Sequence, residues 1–210
     1  MINILIADDH PLIRQGLRKV LSSPGDMLVV DEATTCHEVF DKIRKHKYDV
    51  IILDIIMPGQ SGLDIVKDIK NEFPRLAVLI LSACPEDQYA VRALKLGASG
   101  YLTKEGALDE LIDAVRKVSC GGKHVSKSVA ERLAYAIEDN LKIDPHEKLS
   151  NREYEVMRMI ATGKTVKEIA ESLFLSEKTI GTYRARVLEK MNLKNNSEIT
   201  YYAVKHGLIE

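Results

Sequence analysis

The chain has 210 residues, 45% of them apolar, and a net charge of −1 from 30 Lys and Arg against 31 Asp and Glu. This length suits one large domain or two smaller ones, and the interspersed charge is typical of a globular protein. No apolar run approaches the roughly 18–20 residues that span a membrane, so we expect no membrane partner and a cytoplasmic location. Cys36, Cys84 and Cys120 are widely spaced, which suggests neither a disulfide framework nor a zinc site.

Strand-type and helix-type segments alternate through the first 120 residues. The pattern predicts strands at 3–7, 27–30, 50–53, 77–81 and 100–103, and helices at 12–21, 36–45, 63–71, 88–96 and 108–119. In the first helix the predicted apolar face consists of Leu12, Ile13, Leu17, Val20 and Leu21. Such alternation predicts an α/β domain with a flavodoxin-like, five-stranded, parallel, doubly wound sheet.

Polar side chains follow four of these strands. Asp8 and Asp9 follow the first strand and Asp54 follows the third, while Ser82 and Lys104 end the fourth and fifth. Ligands bind at the carboxyl ends of the strands in open parallel sheets, so we expect these residues to meet. Three carboxylates repel one another unless a cation joins them, and hard oxygen ligands suit Mg²⁺. The lysine would offset a further negative group, such as a transferred phosphoryl.

This constellation resembles the receiver domain of two-component response regulators. The matching elements are Asp8-Asp9, Asp54 with Met57-Pro58 and Gly62, Ser82-Ala83, and the stretch 100–104. The resemblance implies that Asp54 accepts a phosphoryl group from a phosphohistidine of a sensor histidine kinase.

The resemblance also implies a role for each neighbour of Asp54. Mg²⁺ would be held by Asp9, Asp54 and the Met57 carbonyl, with Asp8 acting through water. Lys104 and Ser82 would contact the phosphoryl oxygens. Tyr101 would then turn inward behind Ser82 and alter the face formed by the fourth helix, fifth strand and fifth helix.

Ile56, Glu105 and His10 lie next to the residues of the predicted site. Ile56 stands two residues after Asp54, where polar residues often help to position water, so we expect slow self-hydrolysis of the phosphorylated form. Glu105 follows Lys104, where many receivers have a proline. His10 precedes Pro11, and a role at the helix start is favoured over metal ligation.

The second half of the chain has a different, all-helical pattern. Apolar residues recur at helical spacing between 125 and about 140, and a polar stretch follows up to residue 148. We predict domains at 1–120 and 146–210, joined by a helical linker at 121–145. Ser150 with Glu153 forms a capping-box pattern, and Thr165 and Ser176 are predicted caps of the next two helices. The two helices after Thr165 and Ser176 predict a small all-α helix-turn-helix domain.

The stretches 149–153, 163–170 and 175–180 closely resemble the LuxR-type DNA-binding domain. A receiver joined to such a domain is typical of the NarL/FixJ class of response regulators, which are not enzymes. The partners implied are a sensor histidine kinase, double-stranded promoter DNA carrying an inverted repeat, a second copy of the chain, and RNA polymerase as a further candidate.

DNA contacts are expected along the third helix of this second domain. Between residues 178 and 194 five basic residues stand against Glu189 alone. The residues expected to contact DNA phosphates are Lys178, Thr179, Arg184 and Arg186. Those expected to face base edges are Gly181, Thr182 and Ala185.

Two other functions fit parts of the pattern. A phosphatase of the haloacid dehalogenase type would also form an aspartyl phosphate, but it needs an acid where Ile56 stands. A DNA-binding regulator independent of phosphorylation would use the receiver only for dimerisation. The complete acidic set at Asp8, Asp9 and Asp54 argues against the second alternative.

Overall fold

The structure is a computed structural model that describes residues 1–58, 60–105, 107–138 and 144–209. The chain divides into two units, Met1–Ile137 and Glu138–Glu210. Within the residues described, no helix has the length and apolar character needed to cross a membrane.

The first unit is built on a parallel sheet. Its five strands lie in the order β2-β1-β3-β4-β5, with bounds β1 Ile2–Ala7, β2 Met27–Ala33, β3 Val50–Leu53, β4 Ala77–Ser82 and β5 Gly100–Thr103. Every residue of β3 and β4 is buried, as expected for central parallel strands covered on both faces. The predicted flavodoxin-like, doubly wound fold is confirmed.

Helices connect and cover these strands. They are α1 Pro11–Leu21, α2 Cys36–Lys45, α3 Gly62–Glu72, α4 Glu86–Lys95 and α5 Ala107–Ser119. Leu17 and Leu21 of α1 pack into the core with Leu111 and Val115 of α5. The prediction that Leu12 joins this apolar face was wrong, because its side chain is 79% exposed. Leu12 and Leu21 are nine residues apart, which places them on opposite sides of an α-helix.

Strand β2 extends to Ala33, three residues beyond the predicted end. Two acidic residues interrupt the apolar pattern there, and both are neutralised from neighbouring elements. Glu32 accepts hydrogen bonds from Arg14 and Arg18 of α1, and Asp31 pairs with Lys42 of α2 at 3.3 Å. The strand therefore continues through residues that sequence patterning assigns to a loop.

The predicted linker begins against the sheet of the first unit. His124 forms a parallel bridge with Gly100 of β5, and helix α6 follows at Lys127–Glu138. Val129 of this helix is fully buried. Residues 139–143 of the predicted linker, the side chains of Ala136 and Ile137, and the terminal residue 210 lie outside the described residues.

The second unit is helical. Its elements are a 3₁₀ helix at Pro145–Lys148 and helices α7 Asn151–Ala161, α8 Val166–Leu173, α9 Glu177–Met191 and α10 Asn196–Lys205. The three predicted caps are confirmed, since Ser150, Thr165 and Ser176 each accept a hydrogen bond from a backbone N–H of the first turn. Phe174 ends α8 in the left-handed region with φ of 54°, which makes the tight turn into α9.

Candidate functional site

The sheet brings the predicted site residues together at the carboxyl ends of its strands. Backbone bonds extend the pairing one residue past each strand: Asp8 N–H donates to Ala33 at 3.1 Å, and Asp54 N–H to Ala7 at 2.9 Å. Lys104 N–H donates to the Ser82 carbonyl at 2.9 Å. These bonds hold the carboxylates and the lysine in one row along the edge where parallel sheets bind ligands.

Asp54 lies at the centre of this row and is only 4% exposed. Its Oδ1 accepts hydrogen bonds from the backbone N–H groups of Ile55 at 2.7 Å and Ile56 at 3.4 Å. Its Oδ2 accepts from Lys104 Nζ at 2.7 Å. Burial raises the pKa of Asp54, although Lys104 and the Ser82 hydroxyl act in the opposite direction. The carboxylate is therefore fixed in direction and destabilised as an anion, so an added positive charge would be favoured beside it.

Lys104 joins two carboxylates. Its Nζ lies 2.7 Å from Asp54 Oδ2 and 2.7 Å from Asp8 Oδ2, and its side chain is 15% exposed. Burial acts to lower the pKa of Lys104, but the attraction of Asp54 and Asp8 outweighs it and raises the pKa. The lysine is charged and positioned although Glu105 follows it in place of a proline.

The acidic pair after β1 leaves buried oxygens without hydrogen bonds. Asp8 Oδ2 and Asp9 Oδ1 are such atoms within the described part of the chain. Lys104 Nζ lies 2.7 Å from Asp8 Oδ2, and His10 Nδ1 lies 2.7 Å from Asp9 Oδ1. Asp8, Asp9, His10 and Asp54 each place a ligand atom within 4.8 Å of the others. Buried carboxylate oxygens that need positive charge fit Mg²⁺, which prefers oxygen ligands.

His10 occupies the N-cap position of α1, as its predicted helix-start role requires. Its backbone N–H donates to Asp8 Oδ1 at 2.8 Å, and its Nδ1 lies 2.7 Å from Asp9 Oδ1. The ring is 62% exposed. His10 therefore contacts both acidic residues from the solvent side as well as starting the helix.

Gly62 permits the loop after Asp54 to close. Its N–H donates to the Ile55 carbonyl at 2.8 Å. A Cβ at this position would lie 2.0 Å from the Asp54 carbonyl oxygen and 3.0 Å from Ile55 Cα. Only glycine therefore fits against the backbone that carries Asp54. Met57, whose carbonyl the resemblance assigns to the metal, is fully buried in the same loop.

Ser82 and Tyr101 connect the site to β5. Ser82 is fully buried, and its Oγ accepts from Cys84 N–H at 3.3 Å. Tyr101 is 1% exposed and its hydroxyl donates to the Cys84 carbonyl at 2.8 Å. Burial raises the pKa of Tyr101, so it acts as a neutral donor. The ring is in the inward orientation that the resemblance assigns to the phosphorylated form.

The predicted DNA-contacting residues lie on α9. Ile180, Val187 and Met191 are buried against the rest of the second unit. The opposite face exposes Lys178, Gly181, Thr182, Ala185 and Arg186, while Thr179 and Arg184 are half-buried. Arg184 Nε donates to Asn196 Oδ1 at 2.6 Å, which ties α9 to the start of α10.

Sequence reasoning missed several groups that shape the site. The amides of Ile55 and Ile56 orient Asp54, and the Cys84 carbonyl receives Tyr101, but backbone groups leave no signal in residue identity. Arg14 Nη1 donates to the Asp8 carbonyl at 2.8 Å. Its position one turn after His10 on α1 was the available signal for that contact.

The acidic pocket, formed by Asp8, Asp9 and Asp54, lies at the edge of a parallel sheet, and the same chain carries a helix-turn-helix unit. Together they define a class of regulator with an input and an output domain. The family comparisons agree with this architecture: residues 4–116 match the response regulator receiver domain, and residues 147–203 match the bacterial regulatory proteins of the luxR family. The chain belongs to the response regulators of the NarL/FixJ family.

Relatives cover the whole chain. It is 35% identical over 211 residues to response regulator GacA of Pseudomonas viridiflava, covering 100% of this chain and 99% of that protein. It is 35% identical to response regulator UvrY of Escherichia coli K12, covering 99% and 96%. RcsB from Salmonella enterica serovar Typhimurium, solved bound to promoter rprA with phosphomimetic BeF₃⁻, has 30% identity and a TM-score of 0.63, covering 96% of this chain and 97% of that one.

Proposed function

We propose that this chain is a transcription regulator that is switched by phosphorylation of Asp54. The observation that carries the proposal is the geometry around that carboxylate: it is buried, fixed by two backbone amides, and held 2.7 Å from Lys104. Beside it, Asp8 and Asp9 each have a buried oxygen that makes no hydrogen bond. A site of this kind favours the arrival of positive charge and of a group that Lys104 can neutralise.

The proposed reaction is phosphoryl transfer from a phosphohistidine of a sensor histidine kinase. An Asp54 carboxylate oxygen forms a bond to phosphorus as the bond from phosphorus to the imidazole nitrogen breaks, and the imidazole leaves with the bonding pair. Bound Mg²⁺ supplies neutralisation of the phosphoryl oxygens in such chemistry. Asp8, Asp9, Asp54 and the Met57 carbonyl are the groups that would hold it.

The chain's own residues position the reaction. The amides of Ile55 and Ile56 fix Asp54 Oδ1, so the carboxylate does not rotate away from the donor. Lys104 shifts its hydrogen bond with Asp54 and its ion pair with Asp8 to the new phosphoryl oxygens, because that group carries up to about two negative charges. The Ser82 hydroxyl donates a hydrogen bond to the same group.

We further propose that these movements reach Tyr101. Ser82 and Tyr101 both contact Cys84, one through the amide and one through the carbonyl. Drawing Ser82 toward a phosphoryl group stabilises this arrangement and the inward ring. Phosphorylation therefore favours one arrangement of the surface formed by α4, β5 and α5, and a second copy of the chain can bind that arrangement.

The output is promoter binding by α9. Lys178, Thr179, Arg184 and Arg186 are proposed to contact phosphates, and Gly181, Thr182 and Ala185 to face base edges. The base-facing residues are small and no arginine is placed for bidentate readout, so DNA shape and dimer spacing contribute to specificity. Dimeric DNA binding is supported by RcsB, which has been solved as dimers bound to DNA, and a symmetric dimer is expected to read an inverted repeat.

Intact mass and DNA binding, measured on one sample, test this proposal. The chain is incubated with Mg²⁺ and phosphoramidate, a small donor with a phosphorus–nitrogen bond. We expect a mass gain of one phosphoryl group in the wild type and none in Asp54→Asn. Only the modified wild type should gain dimer and DNA affinity. Equal DNA affinity with and without the modification would support the alternative in which the receiver serves dimerisation alone.

A further inference from the structure

A second group of metal-ligand side chains lies in the helical unit, far along the sequence from the acidic pocket. Asp144, His146 and His206 each place a ligand atom within 4.8 Å of the other two. They come from opposite ends of the unit: Asp144 and His146 start the 3₁₀ helix Pro145–Lys148, and His206 follows the last residue of α10. From this arrangement we propose that the three side chains form a binding site for a divalent transition-metal ion such as Zn²⁺.

The chemistry of the three ligands selects this class of metal. Two imidazoles and one carboxylate suit Zn²⁺, Cu²⁺ and Ni²⁺, whereas Mg²⁺ prefers oxygen ligands alone. The proposed site is therefore distinct in ligand type from the Mg²⁺ site expected at Asp8, Asp9 and Asp54. Three protein ligands leave a fourth position of a tetrahedral ion for water.

Neighbouring rings orient the two imidazoles. Tyr202 stacks on His206 with centroids 4.1 Å apart and an angle of 21° between the rings. The Tyr202 hydroxyl lies 2.9 Å from His146 Nδ1. When Nδ1–H donates to that hydroxyl, Nε2 keeps the lone pair that a metal ligand requires. In metal sites, a hydrogen bond made by the ring nitrogen that does not bind the metal fixes the tautomer and direction of the histidine ligand.

The third ligand is available and able to move. Asp144 occupies the N-cap position of the 3₁₀ helix, yet its side chain makes no capping hydrogen bond. Ligand atoms around tetrahedral Zn²⁺ lie roughly 3.4 Å apart, given metal–nitrogen distances of about 2.1 Å. Asp144 is exposed, so rotation of its side chain can bring its carboxylate closer to the two imidazoles.

A bound ion would link the segment that enters the helical unit to the end of α10. Both segments belong to the same unit. A ligand that binds only the folded form stabilises it by mass action. We therefore expect bound Zn²⁺ to raise the melting temperature of this unit by about 10 °C or more at 100 times the dissociation constant.

Calorimetric titration of the full-length, tag-free chain with Zn²⁺ tests the proposal. Excess Mg²⁺ is present throughout to occupy the acidic pocket, and all proteins carry Cys120→Ser because that thiol is exposed. We expect one equivalent of Zn²⁺ with micromolar affinity or better. His206→Ala and Asp144→Asn should each weaken this binding at least about tenfold. His37→Ala is the matched control, since it removes an exposed histidine that belongs to α2.

Each result decides the matter. Loss of the titration and of the melting shift in His206→Ala and Asp144→Asn, with both retained in His37→Ala, would establish the site. Failure of the parent chain to bind an equivalent of Zn²⁺ would overturn it. So would binding that is unchanged in His206→Ala, because the ion would then be held elsewhere. Circular dichroism of each variant shows whether the helical unit is folded.

Discussion

Replacing Gly62 by alanine should damage both the stability of the first unit and the phosphoacceptor. The new Cβ would lie 2.0 Å from the Asp54 carbonyl oxygen, about 1.5 Å inside ordinary van der Waals contact. The obstructing atoms belong to the backbone, so no side-chain rotation relieves the clash. Either the start of α3 or the strand end that carries Asp54 must move. Overpacking of this kind costs about 1–3 kcal/mol, with the upper end expected here.

Gly16→Ala supplies the matched control in the same unit. Gly16 lies within α1, and a Cβ there would meet no atom within 4 Å. Alanine in a helix interior is favoured over glycine by about 1 kcal/mol. The same change in chemistry therefore has opposite expected signs at the two positions. Contact with the backbone near Asp54 distinguishes Gly62 from Gly16.

The assay is urea unfolding of the first unit, monitored by circular dichroism. The rate of phosphorylation by phosphoramidate is measured on the same proteins. Gly62→Ala should unfold at lower urea and be modified more slowly, whereas Gly16→Ala should unfold at higher urea and react at the wild-type rate. If Gly62→Ala matched the wild type in both measurements, the close approach of Gly62 to Asp54 would be refuted.

Three further changes have defined expectations. Burial raises the pKa of Asp54 above its ordinary value of 3.8, so ionisation of Asp54 lowers the stability of the folded chain as pH rises above that value. Asp54→Asn should therefore raise the free energy of unfolding at pH 7, and this gain should vanish near pH 4. A lower free energy of unfolding at pH 7 would contradict this. Burial acts to raise the pKa of Glu153, but its hydrogen bonds from Lys190 and from Ser150 N–H outweigh burial and lower the pKa. Glu153→Gln should lower the free energy of unfolding by about 1–2 kcal/mol at neutral pH, and by less as pH falls below 4.5. An unchanged melting temperature would count against the hydrogen bond between Glu153 and Lys190. Ile56→Asn should speed loss of the phosphoryl group by positioning water, which phosphate release measures; an unchanged rate would reject that role.

Hydrophobic runs and the polar residues that follow them were enough to predict the sheet and the membership of the acidic pocket. Parallel strands of a covered sheet are apolar throughout, as in β3 and β4, and their ends necessarily share an edge. This is why the sequence alone predicts that Asp8, Asp54 and Lys104 lie together. The caps at Ser150 and Thr165 were equally predictable, because each residue is followed three positions later by a glutamate, which is the capping-box pattern.

Features that depend on tertiary partners were not predictable in the same way. The continuation of β2 through Asp31 and Glu32 requires Lys42, Arg14 and Arg18 from neighbouring helices, and no local pattern reports such pairs. The orientation of Asp54 depends on backbone amides, which every residue carries. The grouping of Asp144, His146 and His206 joins residues some sixty positions apart, and helix periodicity says nothing about how chain ends meet.

The central claim is that phosphorylation of Asp54 controls DNA binding. Its most direct test is selection of genomic DNA fragments by the full-length chain, with and without Mg²⁺ and phosphoramidate, using Asp54→Asn in parallel. We predict enrichment of fragments carrying an inverted repeat only for the wild type with the donor. Equal enrichment without the donor, or by Asp54→Asn, would contradict the claim and identify a regulator whose DNA binding is independent of this carboxylate.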